Sequence, residues 1–81
     1  MTGPTNPAFE AFRESLLEVA PEADLAALRP DGPLRRQLDI DSFDFLRVLE
    51  AFQTRTGIDV PERDYARLDT LEGVRQYLAG R

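Results

Sequence analysis

The chain has no cysteine, no histidine and no lysine, and all ten of its cationic residues are arginine. These absences exclude disulfides, cysteine and histidine zinc sites, thiol nucleophiles and the usual neutral-pH general base. Any thiol or imidazole chemistry must come from outside the chain. No apolar run approaches the roughly 18 residues of a membrane span. The start "MTGPTNPAFEAFRE" lacks the charged-then-apolar pattern of a signal peptide, so a cytoplasmic protein without membrane insertion is expected. Positive charge is also short: ten basic residues against fifteen acidic ones leave a net charge of -5. Long-range attraction to nucleic acid or anionic lipid is therefore not expected, and basic protein surfaces are the more natural partners. Strand-like alternation, internal repeats and low-complexity tracts are missing as well.

What is present is enough for one small core. Eighty-one residues, 42% of them hydrophobic, point to a single domain over residues 1–81 with a polar tail at 1–5. A core of this size supplies only roughly 3 to 5 kcal/mol of net stability, and there is no room for a separate catalytic lobe. Asn6 and Pro7 predict a helix start, followed by an apolar stripe of Phe9, Phe12, Leu16 and Val19 that ends or kinks at Pro21. Pro30, Gly32 and Pro33 mark a long connection, and Leu25, Leu28, Leu34 and Leu38 are spaced to pin it to the core through short helical pieces. A second helix is expected from Ser42 to about Thr56, with Phe45, Leu46, Val48, Leu49 and Phe52 on a broad apolar face and Gly57 just past its end. Pro61 opens a short helix expected to bury Tyr65 and Leu68. Asp69 or Thr70 caps a last helix with a stripe of Leu71, Val74, Tyr77 and Leu78, ended by Gly80. The expected architecture is all-α: a small four-helix bundle of three longer helices and one short one, with a long loop between helices 1 and 2.

The stretch "LDIDSFDFLRVLEAF", residues 38–52, carries the candidate chemistry. Asp39, Asp41, Asp44 and Glu50 suggest a calcium loop, since Glu50 is the twelfth position counted from Asp39. The pattern breaks at the fifth position, which is Phe43, and at the sixth, where the sharp turn needs glycine and the chain has Asp44. No metal site follows. Ser42 as a nucleophile would need an activating base, and with neither histidine nor lysine in the chain only a carboxylate such as Asp41 stands beside it. A carboxylate near a helix start favours its ionised form and activates poorly. From local pattern alone, Ser42 reads best as the N-cap of the second helix.

The register of the whole chain adds a second reading. "DIDSFDFLRVLEAF" resembles the phosphopantetheine attachment segment of acyl carrier proteins, whose core reads Asp-Ser-Leu at the start of the second helix. "GIDVPERDYARLDTLEGVRQYL" is similar to the family's run through a short third helix and a fourth. The resemblance extends from about Phe9 to Leu78. It implies a carrier, not an enzyme: a phosphopantetheinyl transferase moves 4′-phosphopantetheine from coenzyme A onto Ser42, and the arm's thiol holds acyl groups as thioesters. The implied partners are that transferase and acyl-transferring, condensing or ligase enzymes of fatty-acid, polyketide or related biosynthesis, visited by a monomeric carrier. Under this reading, Ser42 is both cap and attachment point.

The resemblance also implies a partner-recognition face around Asp41, Phe43, Asp44, Arg47 and Glu50, with Asp39 nearby. Three of these depart from the family's usual pattern: Phe43 replaces leucine, Asp39 a common glycine, and Arg47 a frequent glutamate. Arg47 is spaced to pair with both Asp44 and Glu50, which would dilute the acidic face. Arg29, Arg35 and Arg36 place positive charge in the preceding loop, where most arginines are simply solvated. A peptidyl or aminoacyl carrier and an unmodified helical interaction module are the alternatives.

Overall fold

The computed structural model describes residues 6–79, all in helices and their connections. The polar tail at 1–5 and the helix stop expected at Gly80 lie outside the described residues. Helix α1 spans Pro7–Val19. The Asn6 side-chain oxygen accepts from the amides of Ala8 (2.9 Å) and Phe9 (3.4 Å), satisfying two of the unpaired donors at a helix start. Its amide nitrogen donates to the Leu78 carbonyl at 3.2 Å, which ties the start of α1 to the end of the chain's last helix. Pro21 follows the α1 C-terminus, as expected.

The long connection is ordered into a 3-10 turn at Leu25–Ala27 and a five-residue helix, α2, at Leu34–Leu38. Leu34 is completely buried, while Leu25, Leu28 and Leu38 pack half-buried against the core. Two backbone bonds stitch this segment to the far end of the chain: Leu34 donates to the Asp69 carbonyl (2.7 Å), and Glu72 donates to that of Pro30 (2.9 Å). Helix α3 covers Ser42–Thr56 and ends at Gly57, whose φ of 75° is the left-handed conformation that glycine adopts most cheaply. A 3-10 helix at Glu62–Leu68 and helix α4 at Leu71–Leu78 complete the chain.

The core forms mainly where α1 meets α3. Phe12 and Phe52, each 1% exposed, meet edge to face with ring centroids 5.7 Å apart. Truncating either to alanine removes about 3–5 kcal/mol, comparable to the whole margin of such a domain. Arg55 on α3 reaches across to Glu18 (2.8 Å) and Glu14 (3.7 Å) on α1. On the opposite flank the Tyr77 hydroxyl donates to Asp64 at 2.6 Å, holding α4 to the 3-10 helix. One residue of the expected apolar face departs from it. Leu46 is 39% exposed, because α3 turns it toward the rim of a groove instead of the core. Among the described residues no helix is long and apolar enough to cross a membrane.

Candidate functional site

The start of α3 is set by the turn before it. Asp39 takes a left-handed conformation, φ 56°, and its amide bonds to the Arg36 carbonyl while Ile40 donates to that of Arg35 (3.0 Å). This 6→1 closure stops α2 within one turn. Two residues later Asp41 is extended (φ -96°, ψ -175°), and its carboxylate accepts from the Asp44 amide at 2.9 Å. Asp41 is therefore the N-cap of α3.

Ser42, expected to be the cap, is instead the first helical residue, and it is exposed. The correction has a physical basis. Aspartate and serine cap about equally well, so local preference does not choose between neighbours. Here the Ile40–Arg35 bond leaves Asp41 as the extended residue at the junction, and its full negative charge also complements the helix dipole. Among the described residues the Ser42 hydroxyl makes no hydrogen bond, and the Ser42 and Phe43 amides donate none. The two amides belong to the first helical turn, which has no carbonyl partner of its own.

Beside Ser42 lies a groove of about 450 Å³ between α3 and the 3-10 helix. Phe45, Leu46, Tyr65 and Ala66 give it an apolar lining, and Arg35, Glu62 and Asp69 contribute charged groups. A larger, somewhat more open hollow of about 670 Å³ sits between the end of α1 and α2, but it does not include Ser42. The groove at Ser42 is the one that opens next to the exposed serine hydroxyl at the start of α3. Local sequence pattern did not reveal it: Tyr65 reads as a core residue, and Arg35 as a solvated loop charge. The Leu34 to Leu38 spacing was the available hint that Arg35 sits on a helical turn facing α3.

The expected partner face is gathered only in part. Asp41, Phe43, Asp44 and Arg47 share the first two turns of α3 or its cap. Phe43 is 76% exposed, the most exposed large hydrophobic residue described. Arg47 pairs with Asp44 at 3.5 Å but not with Glu50, so the double pairing expected of it is reduced to one. Both partners are substantially solvated and such a pair contributes at most about 1 kcal/mol. Glu50 lies further along the helix, exposed and without an ion pair among the described residues. Asp39 serves the stop of α2.

An exposed, unengaged serine at a helix start, next to open amides and a partly apolar groove, suits covalent attachment of an anionic, chain-like group. The family model for the phosphopantetheine attachment site matches residues 10–78. The chain belongs to that family. No curated protein and no solved structure matches it at a significant level. Its cofactor is accordingly covalent 4′-phosphopantetheine, and the chain is a phosphopantetheine carrier. Such carriers are generally non-catalytic and interact with modifying and acyl-handling enzymes. The residues present fit the group. An anion at the α3 N-terminus would face two unpaired amides and the positive end of the helix dipole, and the groove offers room for part of a flexible arm. When bound, the arm supplies the thiol that this cysteine-free chain lacks.

Proposed function

We propose that Ser42 is the attachment residue and that the chain is an acyl carrier protein, working as a cytoplasmic monomer in fatty-acid, polyketide or related biosynthesis. One observation carries the assignment of the residue: Asp41 takes over the capping duty, which leaves the Ser42 hydroxyl exposed, unbonded and at the edge of the groove. In the loading step the Ser42 oxygen attacks the phosphorus that bears the pantetheine chain in coenzyme A. A phosphodiester forms, the pyrophosphate bond breaks, adenosine 3′,5′-bisphosphate leaves, and the serine proton passes to a base on the transferase. The carrier contributes an accessible nucleophile on a rigid helix end; activation and metal belong to the transferase.

Asp41 and Asp44 offer carboxylates to a basic docking surface, Phe43 an exposed apolar contact beside the attachment point, and Arg47 and Glu50 extend the face along α3. The apolar lining of the groove and the acidic residue before the serine support acyl over peptidyl or aminoacyl cargo. Intact-mass spectrometry after incubation with coenzyme A and a broad-specificity phosphopantetheinyl transferase tests the assignment. The expected result is one added phosphopantetheine on the wild type and none on Ser42→Ala. Equal loading of both would remove Ser42 from the role. Charging the holo protein with acyl-ligase and amino-acid-activating enzymes in parallel then separates the two cargo classes.

A further inference from the structure

We infer that Arg35 clamps the phosphate of the arm, directing the pantetheine chain along the groove between α3 and the 3-10 helix; this rests on Ser42 being the attachment residue. The need for a cation comes from the surroundings. A phosphodiester on Ser42 would sit among Asp41 and Asp44 on the helix start, with Glu62 and Asp69 contributing carboxylates to the groove beside it. Helix amides offset part of this repulsion, yet an unscreened carboxylate cluster would still push the anion outward.

Arg35 in the groove lining and Arg47 in the first turns of α3 are the arginines to compare. Arg47 is engaged by Asp44 at 3.5 Å. Arg35 has no ion pair or side-chain hydrogen bond among the described residues, and it lines the same groove as Ser42. Its position is held from both sides. Its carbonyl accepts from Ile40 in the closure of α2, one residue before the Asp41 cap, and the adjacent Leu34 is fully buried with its amide bonded to Asp69. Arg35 thus lines the groove that opens at Ser42 from a short, fixed turn. Arginine suits the task because its planar fork can donate two parallel bonds to phosphate oxygens. Arg36, its neighbour, is also exposed but is not among the groove-lining residues, which makes it a control.

The test uses the full-length protein, loaded from coenzyme A and checked by intact mass. Nuclear magnetic resonance then compares apo and holo forms through the arginine Nε–Hε signals, the phosphorus signal of the phosphodiester, and contacts between the arm and Leu46 or Tyr65. Loading is expected to shift the Arg35 Nε–Hε signal and leave that of Arg36 in place, with the shift fading as salt rises. In Arg35→Gln the phosphorus signal is expected to narrow and the arm-to-groove contacts to be lost, while Arg36→Gln matches the wild type. A wild-type Arg35 signal unmoved by loading, or arm contacts equal in Arg35→Gln and wild type, would overturn the clamp with the attachment site intact. Should no mass be added to the wild type, it is the attachment reading that fails, and the clamp falls with it. The wild-type comparison alone decides the matter if the glutamine variant loads poorly.

Discussion

Replacing Asp41 and Ser42 in turn by alanine separates the cap of α3 from the proposed attachment residue. Asp41→Ala removes the acceptor of the 2.9 Å bond from Asp44 and leaves that amide without a protein partner. Loss of an N-cap costs about 1 kcal/mol within a range of about 0.5–2. Removing a negative charge from the positive end of a helix adds about 0.3–1 kcal/mol. The sum, about 1–3 kcal/mol, lowers the melting temperature of a domain this small by at least about 4 °C. Ser42→Ala removes an exposed hydroxyl with no hydrogen bond among the described residues, and such a surface change stays within about 0.5 kcal/mol of neutral. Asp41→Asn should fall between them, since asparagine caps as well as aspartate and only the charge contribution is lost. Thermal melts followed by circular dichroism at 222 nm, with urea titrations to obtain free energies, give the order wild type and Ser42→Ala together, then Asp41→Asn, then Asp41→Ala. If Ser42→Ala melts as low as Asp41→Ala, or if Asp41→Ala leaves stability unchanged, then the cap is wrongly placed and the argument for a free serine hydroxyl fails.

Asp39 occupies a left-handed conformation that costs a non-glycine residue about 1–2 kcal/mol. Asp39→Gly should therefore be neutral or stabilising by up to about 1 kcal/mol and Asp39→Val clearly destabilising; urea midpoints in the reverse order would show that the turn is held otherwise. Gly73 lies where an added Cβ would stand 2.3 Å from the Arg67 carbonyl oxygen. Gly73→Ala should force α4 away from the 3-10 helix at a cost of about 1–3 kcal/mol, and an unchanged urea midpoint would refute that close approach. Phe43→Ala, at a site 76% exposed, should leave the melting temperature within about 3 °C of wild type while raising the KM of at least one acyl-handling enzyme for the carrier. An unchanged KM with every enzyme that uses the carrier would remove Phe43 from the docking face.

The parts of the fold legible in the sequence are those governed by neighbours along the chain. Asn6 followed by Pro7 marked the start of α1, Gly57 the end of α3, and Thr70 was one of two caps foreseen for α4, where it accepts from the Gly73 amide at 2.9 Å. What the pattern left undecided depends on contacts between distant segments. The long connection gains its order from Leu34 bonding to Asp69 and Glu72 bonding to Pro30, pairs separated by more than thirty residues. The groove follows from the same stitching, because it brings Arg35 of α2 and Asp69 into one lining with residues of α3 and the 3-10 helix. Leu46 shows how the two levels interact. Its spacing on α3 reads as core, and only the position of the 3-10 helix turns that spacing into a groove wall.

The shift of the cap by one residue matters chemically beyond its few kilocalories. A capping serine has its oxygen occupied by a backbone amide, so converting it to a phosphodiester would trade a helix-stabilising bond for the new covalent one. With Asp41 holding the Asp44 amide, α3 is closed without any help from Ser42. The serine oxygen is then free to be modified while the helix start stays as it was. Under the proposed assignment, α3 is equally well capped before and after loading, and the same Asp41 carboxylate that closes the helix also faces outward beside the serine, where a transferase must bind. Sequence alone assigned both duties to Ser42; the structure gives the cap to Asp41 and leaves Ser42 with its hydroxyl unspent.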